Sequence, residues 1–210
     1  MLRFFESSHM PGKTVEFISQ PELPSDIRVA VRWRQRGDTS LRGPEMGRER
    51  ERREGRELIR DAIKEYLGEG HLTIRTETGG KPYARLDGQP VHISISHNPL
   101  MICGVISRHR IVGIDLESVR REVHPGLKER ITHPAESDAV RDLSAIQLWT
   151  LKEAALKWCG SGLRTAMNRL CVVNGQAPNF QLELPDQRAV TLCSLRYRDH
   201  WLTVAYGSEE

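Results

Sequence analysis

Val112-Gly113-Ile114-Asp115-Leu116-Glu117 decides how this chain is read. Apolar and polar residues alternate, which predicts a strand with Ile114 and Leu116 on one face and Gly113, Asp115 and Glu117 on the other. Two carboxylates two residues apart on one face repel each other unless something positive stands between them. A divalent cation is a common partner for such paired hard oxygens. A solvated face of an edge strand is the plainer alternative.

Downstream, Leu148-Trp149-Thr150-Leu151-Lys152-Glu153-Ala154-Ala155-Leu156-Lys157 reads as a helix, with Asp142 or Ser144 as N-cap and Gly160 and Gly162 closing it. Ile146, Trp149, Glu153 and Leu156 fall on one helical stripe, so an acid sits within an apolar face. Glu153 is either the partner of Lys157 one turn on or a third metal ligand beside Asp115 and Glu117.

The 210 residues suffice for a sizeable core, and 38% hydrophobic with 28% charged residues is ordinary for a soluble protein. The apolar run from Pro99 to Ile106 is too short to span a bilayer. The N-terminus shows no secretory pattern, so a cytoplasmic setting is expected. Cys103, Cys159, Cys171 and Cys193 form no C-x-x-C pair and read as reduced, mostly apolar positions. A net charge of +3 is mild and favours anionic partners in general.

Residues 1–26 read as a loosely ordered arm with one short strand near Val15 to Ile18. A strand from Ile27 to Trp33 follows, then a loop at Gly37 and Gly43-Pro44. A helix is expected from Glu45 to Tyr66. Between Arg28 and Arg60 there are 11 arginines against 6 acids. Such a run is either a solvated face held by i,i+3 and i,i+4 pairs, or a source of phosphate contacts from Arg48, Arg52, Arg56 or Arg60. No aromatic residue interleaves with it between residues 34 and 65, which argues against nucleic acid.

His71 to Thr76 reads as a strand, and the turn Thr78-Gly79-Gly80-Lys81-Pro82 presents Lys81 where it can grip a phosphate. Val91 to His97 and Met101 to Ser107 read as a strand pair, with Ser96 and His97 at the end of the first. A histidine there is either structural or a ligand contact. Val123 to Ile131 is weakly helical, and Pro134 to Val140 resembles a helix start with Glu136 near its positive end. Four alternating segments after Gly162 predict a closing antiparallel meander.

In this order, Gly80-Lys81-Pro82-Tyr83, Ile95-Ser96-His97, Val112 to Glu117, Trp149-x-x-Lys152-Glu153-Ala154-x-x-Lys157 and Gly160-x-Gly162-Leu163 resemble the 4′-phosphopantetheinyl transferases. The resemblance is to the longer, monomeric type that activates peptide and polyketide synthetases. It covers residues 80–163. It implies an α+β fold of two pseudo-symmetric halves, residues 1–110 and 111–210, with the active site in the cleft between them.

The same resemblance implies transfer of 4′-phosphopantetheine from coenzyme A to a serine of an apo acyl or peptidyl carrier protein. It further implies a Mg²⁺ requirement and the release of adenosine 3′,5′-bisphosphate. Asp115, Glu117 and Glu153 match the metal ligands. Lys81, Ser96, His97 and Lys157 match residues that hold coenzyme A, and Arg52, Gly55 and Arg60 can be laid on a nucleotide-binding pattern. Glu153, Lys157 and Glu136 are the catalytic candidates, with Glu136 where the family often has an acid proposed as base. Asn98 stands where the family usually has serine. A membrane or nucleic-acid partner is not expected.

Overall fold

The computed structural model describes residues 15–34, 44–77, 79–136 and 140–208. The first fourteen residues, the Gly37 and Gly43 loop, Thr78 and the side chains of Arg48 and Leu163 therefore lie outside what is described. The chain is α+β and forms two antiparallel sheets.

The first sheet runs β1 (Glu16–Ile18), β2 (Arg28–Trp33), β6 (Met101–Ser107), β5 (Gln89–His97), β4 (Pro82–Leu86) and β3 (Leu72–Thr76). The second runs β7 (Arg110–Ser118), β11 (His200–Ser208), β10 (Ala189–Tyr197), β9 (Asn179–Glu183) and β8 (Cys171–Gln176). Helix α1 (Pro44–Leu67) covers the first sheet, and α3 (Ala145–Cys159) covers the second. A five-residue α2 (Leu127–Ile131) lies between β7 and α3.

Alternation along the strands builds the layers. Ala30, Ile93, Ile102 and Ile106 face Leu58, Ile59, Ala62 and Ile63 of α1. Val29, Val31, Cys103 and Val105 face the opposite way and meet Val112, Ile114, Leu116, Leu202 and Val204 of the second sheet. That shared apolar layer leaves Gly113, Asp115 and Glu117 on the other side of β7, under α3. The tight β4–β5 turn at Asp87-Gly88 has positive φ at both central residues (52 and 79), a form that aspartate and glycine adopt most readily.

The Arg/Glu run is a paired face. Arg50 and Arg34 both bond Glu54, and Arg53 lies 3.9 Å from Glu57. α3 begins where expected, with Ser144 Oγ accepting from the Gln147 N–H at 3.1 Å, and ends at Gly160 in the left-handed region, φ 73.

Two expectations are corrected. α3 is not a helix with one apolar stripe, because it is buried on almost every side. Ile131, Val140, Met167 and Leu170, from the connections on either side of α3, share its core cluster, and even Lys152 is fully buried. Nor does a helix start at Pro134: Pro134 and Ala135 form a turn, and Glu136 belongs to no helix. Among the described residues, no helix is long and apolar enough to cross a membrane.

Candidate active site

Gly113 sets the geometry. A Cβ there would lie 2.2 Å from the Ala154 carbonyl oxygen and 2.6 Å from the Trp158 nitrogen, so only glycine lets α3 settle so closely on β7. That approach brings Glu153 and Lys157, one turn apart on α3, to the face of β7 that carries Asp115 and Glu117. From the other half, β5 delivers Ser96 and His97. The Ser94 hydroxyl ties the two strands by accepting from the Ile114 N–H at 3.2 Å.

At the centre, Lys157 Nζ donates to Asp115 Oδ1 at 2.7 Å and to Ser96 Oγ at 2.9 Å, while the Ser96 hydroxyl donates to the same Oδ1 at 2.9 Å. Lys157 thus serves Asp115 and Ser96 rather than Glu153, its neighbour by sequence. Asp115 Oδ2 is buried with no hydrogen-bond partner. The surrounding cavity, about 330 Å³, is lined by Ser96, His97, Asp115, Glu117, Glu153 and Lys157, together with Ile95, Arg121 and Trp149.

Charge in this cavity is unbalanced. Burial, then the nearby Asp115 charge, pushes the Glu117 carboxyl above the ordinary glutamate value, and the same two causes raise Glu153. Burial alone would lower Lys157, but Asp115 and Glu153 outweigh it and its ammonium is held above the ordinary lysine value. Three carboxylates face two cations, Lys157 and Arg121.

The donor set fits a hard cation: all oxygen, net negative, with the Asp115 Oδ2 lone pairs unused. As they stand, the acids are engaged separately, Asp115 by Lys157 and Glu117 by Arg121. Among the described residues no three His, Cys, Asp or Glu side chains are placed, as they stand, to hold a metal ion together, so binding one requires these acids to regroup.

Lys81 lies in an adjoining cavity of about 230 Å³, which shares Ile95 and Lys157 with the first and adds Gly79, Gly80, Gly160 and Gly162. Its ammonium bonds the Trp158 carbonyl, and burial lowers its pKa. His97 Nε2 lies 2.8 Å from Glu51 Oε2 of α1. Asn98 Oδ1 accepts from the N–H groups of Leu100 and Met101, both at 2.9 Å, so it shapes the β5–β6 turn.

Other candidates lie elsewhere. Arg60 faces a separate cavity at the far end of α1, with Ile63, Lys64 and Leu72. Arg52 is exposed on α1 and lines neither site cavity. Gly55 of the same pattern has a packing reason, since a Cβ there would meet Ile95 at 2.8 Å.

Glu136 is also absent from the cavity lining. Its fully buried side chain pairs with Lys152 at 2.6 Å and accepts from the His133 and Val172 N–H groups at 2.8 and 3.3 Å. Arg121 is the site residue that sequence reasoning missed. The pair Glu117/Arg121, four residues apart across the end of β7, carried no periodic signal.

Residues 111–205, which supply β7, α3 and the closing strands, match the model of the 4′-phosphopantetheinyl transferase superfamily. That match covers somewhat less than half of the chain, and over it the chain is similar to that superfamily. A relative, the 4′-phosphopantetheinyl transferase gsp of Aneurinibacillus migulanus, is 25% identical over 156 residues. The similarity spans 64% of this chain and 64% of that protein.

Proposed function

We propose that this chain transfers 4′-phosphopantetheine from coenzyme A to a serine of an apo acyl or peptidyl carrier protein, releasing adenosine 3′,5′-bisphosphate. The reading carries a Mg²⁺ requirement, a cytoplasmic setting and action as a monomer as parts of the same proposal. One observation supports it above the others: Lys157 is shared by Asp115 and Ser96, while Asp115 Oδ2 is left unpartnered in a cavity that Glu117 and Glu153 also line.

Attack of a serine hydroxyl on the β-phosphate of coenzyme A needs little from a protein beyond positioning and charge neutralisation. Asp115, Glu117 and Glu153 would hold Mg²⁺, which when bound supplies neutralising charge for the diphosphate. Lys157, fixed by Asp115 and Ser96, offers its ammonium to the same phosphates. Lys81, in the adjoining cavity, offers a second cation farther along the bound donor. His97 stands at the mouth on the N-terminal side as the contact for its nucleotide end.

The serine proton needs an acceptor. Glu153 is the candidate inside the cavity, and burial and Asp115 already bias it towards holding a proton. Glu136 has both oxygens engaged and no access to the cavity.

The test is mass spectrometry of apo carrier proteins after incubation with coenzyme A, Mg²⁺ and this protein. A mass gain of one phosphopantetheine on the carrier serine, dependent on both additions, is expected. Coenzyme A binding without transfer to any of a broad panel of carriers would overturn the enzymatic reading and leave a binding protein.

A further inference from the structure

We propose that Arg121 is an exchangeable counter-ion: a divalent cation displaces it from Glu117, and the freed guanidinium then holds an anionic group of the donor substrate at the cavity mouth. The inference rests on the transferase reading of the same cavity and assigns a role to a residue outside the motifs that support that reading.

Two cations serve the three carboxylates, and they are held differently. Lys157 is anchored by two short hydrogen bonds, one of them to Asp115, whose side chain is only 7% exposed. Arg121 comes from the loop after β7, has a side chain 42% exposed, and bonds a single carboxylate, Glu117. Its second support is the face of Trp149, whose ring centroid lies 5.4 Å from the guanidinium carbon. That cation–π contact does not depend on Glu117.

A divalent cation recruiting Glu117 therefore meets the weaker of the two resident cations. Its own charge repels the guanidinium as it binds. Arg121 does not lose its footing when Glu117 is taken, because Trp149 keeps it at the rim of the cavity. There its planar fork suits a phosphate, which a guanidinium can grip through two parallel N–H donors. The substrate is anionic, so the exchange carries a positive charge from the metal site to the place where negative charge arrives.

The experiment uses the full chain without coenzyme A and titrates Mn²⁺ alone, read by electron paramagnetic resonance of the free ion. Arg121→Gln is expected to bind Mn²⁺ about two- to fivefold tighter, the range for losing a competing, partly exposed ion pair. In saturating Mn²⁺, coenzyme A binding by calorimetry is expected to weaken about tenfold. Arg121→Lys should restore the competition with Mn²⁺ and only part of the coenzyme A affinity. Opposite changes in the two affinities are something a merely structural arginine would not produce.

Unchanged Mn²⁺ affinity in Arg121→Gln, with Asp115→Asn still weakening it, overturns the role of Arg121 alone. Unchanged coenzyme A affinity overturns it as well. Failure of both wild type and Arg121→Gln to bind Mn²⁺ overturns the metal reading of Asp115, Glu117 and Glu153 together with it.

Discussion

Removing either member of the Asp115–Lys157 pair should destabilise the fold, and removing both should cost less than the sum. Two acids on one strand face suggest that deleting one relieves repulsion. The structure reverses that for Asp115, because its Oδ1 receives both Lys157 and Ser96. Asp115→Asn leaves the ammonium of Lys157, only 27% exposed, without its nearest counter-charge. Breaking a fully buried pair costs about 3 to 5 kcal/mol. The partial exposure of Lys157 reduces this to roughly 2 to 3 kcal/mol. For a chain of this length that is a fall in Tm of roughly 4 to 12 °C. Lys157→Met should cost a similar amount, since it leaves three carboxylates facing Arg121 alone. Urea denaturation in chelator, on wild type, both single variants and the double variant, measures the coupling directly. A shortfall of about 1 to 2 kcal/mol in the double variant relative to the summed singles is expected. Additivity within about 0.5 kcal/mol would refute the pairing as an energetic unit.

Glu153→Gln should instead stabilise the metal-free protein near neutral pH, because burial and Asp115 disfavour its charge, while transfer falls to background; a lower urea midpoint would contradict this. Glu54 behaves in the opposite sense. Its carboxyl is desolvated, yet hydrogen bonds from Arg50 and Arg34 hold it below its ordinary 4.5. Its contribution is present above that value and is lost as pH falls through the lowered folded pKa. Urea midpoints of wild type and Glu54→Gln should therefore converge below pH 4.5, and a gap that persists at lower pH would count against the pairing. His97→Ala should erase most of a preference for coenzyme A over dephospho-coenzyme A, about ten- to hundredfold in kcat/KM. Equal weakening of both donors would leave His97 as the partner of Glu51 only.

Legibility in the sequence followed the range of the forces involved. Strands such as Val91 to His97, the caps of α3 at Ser144 and Gly160, and the closing meander were readable because alternation and capping are local. Asp115 and Glu117 share a face for the same reason. The motif Val-Gly-Ile-Asp shows a glycine in a strand but not its purpose, which is the approach of Ala154 and Trp158 from a helix more than forty residues away. Lys152 and Glu153 sit side by side in sequence. The helical step of about 100° sends one into the core and the other into the cavity, and only the packing around α3 decides which. Arg60 lies away from the cavity for a matter of length: it is nine residues beyond Glu51, the partner of His97, and nine residues of helix are about 13.5 Å.

The buried pair of Glu136 and Lys152 bears on which acid can work as a base. Lys152 Nζ donates to the carbonyls of Ile131 and Leu170 as well as to Glu136, so one ammonium on α3 ties down the end of α2, the connection between α2 and α3, and the residue before β8. Burial alone would lower the pKa of that lysine, and Glu136 opposes the shift. For Glu136 to swing to a substrate serine, it would have to abandon two backbone N–H groups and leave a fully buried ammonium with neutral carbonyls only. A loss of that kind costs about 3 to 5 kcal/mol, a penalty every turnover would have to meet. Glu153 meets no such cost, since it already faces the cavity and holds no cation of its own. The acid that pairs with Lys152 inside the core and the acid that lines the cavity with Asp115 are therefore different residues.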